Sequence, residues 1–263
     1  DGARDGEGVN GSGSNLSADC VGLYCDEVRP DNEKIVGGSA ADVLDGDNAD
    51  QTLIGGPGDD ALTGHSGIDR FEGGSGKDDA RDGDYAYSNP DPAGKGDTFL
   101  MGDGDDYVGG SGGDEHIELG DGDDRGALSG TGKVFLDMGP GNDTFDTDKG
   151  DHTVIGGGGN DRLATYAGVK DIDMGEGDDT VGLSTGATAK RAVMGPGNDE
   201  FDGADGNDTV DGGPGDDFLP VGSGNDTVTD LEGANIIYGG AGNDTITTGP
   251  GSDEARGEDG DDV

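Results

Sequence analysis

The chain has 263 residues, 60 of them glycine, and 60 acidic against 15 basic residues give it a formal net charge of -45 at pH 7. That balance excludes nucleic acid and anionic membrane surfaces as partners, and no apolar run approaches a spanning helix. Leu, Ile, Val and Phe make up about 16% of the chain, below the roughly 20% at which highly charged chains stay disordered, so a compact form needs something positive to neutralise it.

Residues 1–27 are rich in Gly, Ser, Asp and Asn without a sustained period, and predict a linker followed by a small cap. Cys20 and Cys25, in DCVGLYC, are expected to tie that cap with a disulfide, as suits an exported protein; no histidine or third cysteine lies near enough to complete a zinc site. Any export signal is expected to have been removed or to lie outside this chain.

From Val28 a nine-residue frame sets in. VRPDNEKIV, GGSAADVLD, GDNADQTLI, GGPGDDALT, GHSGIDRFE and GGSGKDDAR follow one another without a gap. DGDYAYSNPD then reads as one unit carrying an extra residue, and predicts a bulge at 82–96 that includes Tyr85 and Tyr87. PAGKGDTFL, MGDGDDYVG and GSGGDEHIE restore the frame, which slips once near Leu128 and again between Leu183 and Val193. After Met194 it runs on through MGPGNDEFD, GGPGDDFLP and GGAGNDTIT.

A period this short predicts a solenoid, in which each unit buries its apolar side only against its neighbours. The last three residues of a unit suit a very short strand with the middle side chain facing inward. That eighth position reads Leu44, Leu53, Leu62, Phe71, Ala80, Phe99, Val108 and Ile117, then Phe145 through Val181, Phe201 and Val228 to Ile246. The expected core is therefore one inward side chain per unit. The first six residues must turn. Glycines at positions one, two and four permit left-handed or close-packed backbone and leave carbonyl oxygens uncovered. Aspartate at position six adds a carboxylate to the same spot. An all-oxygen ligand set points to a hard cation, calcium before magnesium.

GGPGDDALT, GGGGNDRLA and GGAGNDTIT resemble the hemolysin-type calcium-binding repeat of RTX proteins, and the likeness recurs in register over about 85% of the chain. The resemblance implies an all-β fold over residues 28–263: a parallel β-roll (β-solenoid) with two repeats per turn and several Ca2+ ions held between loops on the same edge. With the units sorted alternately, it assigns calcium on one edge to Asp42, Asp60, Asp78 and Asp97, and again to Asp208, Asp226, Asp244 and Asp262. On the other edge it assigns Asp69, Asp106, Asp124, Asp143, Asp161, Asp179, Asp199, Asp217 and Asp253. Glu115, Val134, His152 and Lys170 interrupt the first edge, whose turns are expected to hold there without an ion.

Other chemistries fit less well. The glycine runs lead into strands and not into the helix a phosphate loop needs. The acidic strings lack the closing glutamate and flanking helices of a helix-loop-helix calcium site. His65, His116 and His152 sit at unlike positions of their units, and paired carboxylates recur in nearly every unit, so no catalytic constellation is recognised. Asn142, Asn160, Asn198, Asn207, Asn225 and Asn243 are expected to sit in left-handed backbone. The chain is thus expected to be a secreted or cell-surface calcium-binding module that folds on binding its ions. The alternatives are a structural or adhesive spacer in a larger surface or surface-layer assembly, and the accessory region of a secreted enzyme.

Overall fold

A computed structural model describes residues 34–82, 95–111, 113–147, 149–168, 170–184, 186 and 190–263, together with the backbone of Leu16–Ser17. Cys20, Cys25 and the Tyr85–Tyr87 stretch lie outside the described residues. The rest is all β: two parallel sheets, of thirteen and twelve strands, stacked into a solenoid. One sheet runs from Leu16–Ser17 and Lys34–Val36 to Thr245–Thr248, the other from Val43–Asp45 to Glu254–Asp259. From Lys34–Val36 onward successive strands alternate between the sheets, so each strand pairs with the one a full turn away. Leu53 lies beside Phe71, and Val154 beside Ile172. At ~4.8 Å between paired strands, thirteen strands make a stack roughly 58 Å long.

Apolar side chains at the eighth position line the space between the sheets from Ile35 to Ile237, with Ile246 partly buried at the end of the row. Phe71 and Phe99 stack with ring centroids 4.6 Å apart. Gly126 stands where the row would place an apolar side chain, and a Cβ there would lie 2.1 Å from the Phe145 ring, which fills the space instead.

The core is thicker than one side chain per unit. Strand pleating turns every second residue inward, so the residue two places after the eighth, which is the first of the next unit, also faces the interior. Met101, Leu119, Met138, Met174, Met194 and Val221 occupy that first position and are buried. Where the first position is glycine, the carboxylate of the same loop fills the space: a Cβ on Gly55 would meet Asp60 Oδ2 at 2.3 Å.

The two edges differ from the alternate sorting of units. Phe71 pairs with Phe99, and Ala80 with Val108, each a jump of 28 residues where Leu53 to Phe71 is 18. DGDYAYSNPD is therefore not a repeat unit. Asp82 stands at a first position and Asp97 at the next sixth position. Every assignment across that point changes edge. Asp42, Asp60 and Asp78 share an edge with Asp106, whereas Asp69 shares one with Asp97.

Candidate metal sites between the turns

All seventeen aspartates assigned from the sequence stand at sixth positions; fifteen are buried, Asp253 is half-buried and Asp262 is exposed. The full edge runs Asp42, Asp60, Asp78, Asp106, Asp124, Asp143, Asp161, Asp179, Asp199, Asp217, Asn235, Asp253. The interrupted edge runs Gln51, Asp69, Asp97, Glu115, Val134, His152, Lys170, Lys190, Asp208, Asp226, Asp244, Asp262.

Along each edge the carboxylates form a backward ladder. The Asp42 amide donates to Asp60 Oδ1 at 2.7 Å, that of Asp60 to Asp78 Oδ1 at 2.8 Å, and that of Asp143 to Asp161 Oδ1 at 2.9 Å. The bond from Asp78 to Asp106 Oδ1, at 2.7 Å, carries the ladder across the DGDYAYSNPD insertion, as does that from Asp69 to Asp97 Oδ1 at 2.7 Å. On the full edge, one oxygen of each carboxylate from Asp60 to Asp253 is thus fixed by the previous turn.

The other oxygen is not. Oδ2 of Asp60, Asp78, Asp106, Asp124, Asp143, Asp161, Asp179, Asp199, Asp226 and Asp244 is buried without a hydrogen-bond donor. Burial is the main force pushing the carboxyl groups from Asp60 to Asp226 in this row up, and the ladder bond from the previous turn offsets part of it. Asp106, Asp124, Asp161, Asp179 and Asp226 rise to about 6, Asp78 and Asp199 to about 7, and Asp143 to about 8. A buried carboxylate without a donor costs several kcal/mol unless a proton or a cation satisfies it.

Carbonyl oxygens complete the surroundings. Gly74, with φ +123°, stacks so closely that a Cβ on it would lie 2.0 Å from the Gly56 carbonyl oxygen; Gly104, at φ +142°, would meet that of Gly76 at 1.4 Å. The second and fourth positions of one loop therefore place bare carbonyls between it and the next, beside the carboxylate reaching back from above. Carboxylate and carbonyl oxygens are the ligands a hard divalent cation takes. The residues present fit calcium.

The interrupted edge meets the same need with nitrogen. Lys190 is buried, and its ammonium donates to the Gly203 and Asp205 carbonyls at 2.5 and 2.7 Å, with Asp208 Oδ2 at 3.8 Å. Lys170, also buried, donates to the Gly150 carbonyl at 2.5 Å. Each lysine thus sets a positive charge against inter-loop oxygens while remaining part of the chain. The sequence pattern leaves these turns without an ion; a tethered cation takes part of that role.

Sequence reasoning misses two further features. Asp82 at a first position comes together with Asp69 and Asp97, their ligand oxygens all within 4.8 Å of one another. The asparagines at position five do not take left-handed backbone: among the described residues, the non-glycine residues with positive φ are His65, Ala204 and Glu258, all at second positions. The asparagines instead form an exposed ladder running the opposite way, as where Asn142 Oδ1 accepts the Asn160 amide at 3.0 Å and Asn160 Oδ1 that of Asp178 at 2.9 Å. A short side-chain amide reaches the next turn's N–H without left-handed backbone, so the residue type reports stacking and not a φ requirement.

Oxygen-lined gaps repeated up the edges of a parallel β-solenoid define a calcium-binding repeat protein. The model of the RTX calcium-binding nonapeptide repeat (4 copies) matches residues 30–62, 45–80, 139–169, 195–219, 220–255 and 244–263, more than half of the chain. The chain belongs to that family. The unmatched stretches, 1–29, 81–138 and 170–194, include the DGDYAYSNPD insertion and the two buried lysines. No curated protein matches the chain.

Proposed function

We propose that this chain is an extracellular module that binds several Ca2+ ions between successive loops and folds as it does so. Calcium would be held on the full edge by Asp42, Asp60, Asp78, Asp106, Asp124, Asp143, Asp161, Asp179, Asp199, Asp217 and Asp253. On the interrupted edge the ligands would be Asp69, Asp97, Asp208, Asp226, Asp244 and Asp262. Carbonyls of the second and fourth positions complete each set. Bound calcium supplies positive charge that cancels carboxylate repulsion and bridges neighbouring turns. The observation that carries this reading is the row of buried Oδ2 atoms without donors. A chain with net charge -45 and no site before folding couples the two events. Dissociation constants of 10⁻⁴ to 10⁻³ M, roughly those of extracellular calcium modules, would keep it loose inside a cell and ordered outside.

The test is circular dichroism of the full chain in chelator, with added calcium and with added magnesium. Millimolar calcium should produce β-structure from a largely disordered chain, and magnesium should not, because it demands near-octahedral geometry. A spectrum indifferent to calcium would remove the proposal. No helix among the described residues is long and apolar enough to cross a membrane. Release from the cell, alone or as part of a larger surface protein, is the setting in which such a switch is useful.

A further inference from the structure

The turn from Asp230 to Tyr238 breaks the repeat twice. Asn235 replaces the sixth-position aspartate, and Asp230 replaces the glycine or apolar residue of the first position. Asn235 keeps the ladder, its Oδ1 accepting the Asp217 amide at 3.0 Å, but its Nδ2 donates to the Glu232 carbonyl at 3.2 Å. The oxygen that elsewhere faces the gap is therefore a nitrogen bearing hydrogens, which repels a cation.

Asp230 replaces the lost charge from the other end of the loop. It is 0% exposed, and among the described residues no cationic group meets its oxygens, which face only the Glu232 backbone and the Asp217 carboxyl. Its side chain turns inward over Gly212: a Cβ on that glycine would lie 2.5 Å from Asp230 Oδ2 and 2.8 Å from Asp217 Oδ2, and the two buried carboxyl groups face each other closely enough to share a proton. Two carboxylate oxygens so close to one point cannot both stay ionised in a dry interior unless a cation or a proton lies between them.

We infer that Asp217 and Asp230 form a divalent-cation site in which the ligand has moved from the sixth position to the first. It rests on the proposed function for the identity of the ion, calcium. Asp230 then belongs to the metal-binding apparatus although it lies outside the motif, and Asn235 is compensated.

The test uses the full chain and calcium alone. Calorimetric titration should show Asp230→Asn lowering the affinity for one ion by tenfold or more, with the remaining ions bound as in wild type. Asp230→Leu, apolar at this position like Val221, should give the same loss, and its thermal melt in calcium checks that the turn still stacks. Crystals grown in calcium should show anomalous density about 2.3–2.6 Å from an Asp230 oxygen. Wild-type titration with an unchanged Asp230→Asn curve, or density confined to the other gaps, would overturn the inference and leave the proposed function standing. A wild-type chain that binds no calcium would end both.

Discussion

Replacing Asp143 in two ways separates what its carboxylate does for the stack from what it does for the ion. Asp143 Oδ1 accepts the Asp124 amide at 2.7 Å, while Oδ2 is buried without a donor. Asp143→Asn keeps an acceptor for that amide and exchanges the free oxygen for an NH2, the arrangement Asn235 already adopts. Asp143→Ala removes both. With calcium, either change deletes one charged ligand, a loss of about 1.5–3 kcal/mol, or tenfold to hundredfold in affinity for the ion concerned. In chelator the two should diverge. Alanine strands the buried Asp124 amide, costing about 1–3 kcal/mol. Asparagine removes a carboxyl that burial has raised to about 8, and so relieves a penalty. Asp143→Asn should therefore match or exceed wild type in chelator, in whatever residual or acid-stabilised stack can be melted, while Asp143→Ala falls below it. Calorimetry with calcium and thermal melts in chelator read the two effects. If Asp143→Asn bound calcium like wild type, or melted in chelator as early as Asp143→Ala, the division of labour between the two oxygens would be wrong.

Gly104→Ala, whose Cβ would lie 1.4 Å from the Gly76 carbonyl oxygen, should cost about 3 kcal/mol or more in thermal melts with saturating calcium. Gly158→Ala, with open space around it and ordinary backbone, should be neutral or gain ~0.4–1 kcal/mol; equal effects would refute the stacking argument. Lys190→Met leaves Asp208 and two carbonyls facing an uncharged group and should lower stability by about 3–5 kcal/mol, more in chelator than in calcium; an unchanged melt would show that the ammonium is not a structural cation. Acidification should favour the metal-free stack. Folded carboxyls at about 6 to 8 lie above their ordinary 3.8, so the folded form binds more protons, and its stability falls as pH rises through that window. Dichroism in chelator should show β-structure growing between pH 8 and 5; a transition confined to about pH 4 would instead implicate exposed carboxylates.

The period of nine makes the eighth-position row, the turns and the sixth-position aspartates legible from residue type alone, because each repeats often enough to average out its exceptions. The second inward row is written just as openly in Met101, Leu119, Met138, Met174 and Met194. It stays hidden because glycine at the same position elsewhere suggests a purely conformational role. The edges are misassigned for a different reason. An insertion close to one period in length imitates a repeat, and only pairing across it, Phe71 with Phe99, shows which side the chain returns to. Asp82 and Asp230 escape notice because a carboxylate at a first position reaches the gap through space and not through the motif. The lysines can be seen as substitutions, but their partners, carbonyls of neighbouring turns, leave no trace in residue type.

An ammonium travels with the polypeptide, whereas calcium has to be met in the surroundings. The turns spanning Lys170 and Lys190 consequently possess half of their clasp before any encounter with the ion, and the terminal turns possess none. Assembly is expected to start in that middle stretch and advance toward both ends as ions arrive, one neighbour at a time. Amide exchange at sub-saturating calcium should then be slowest around residues 150–208 and quickest at the extremities, and a flat protection profile would mean that the stack closes everywhere at once.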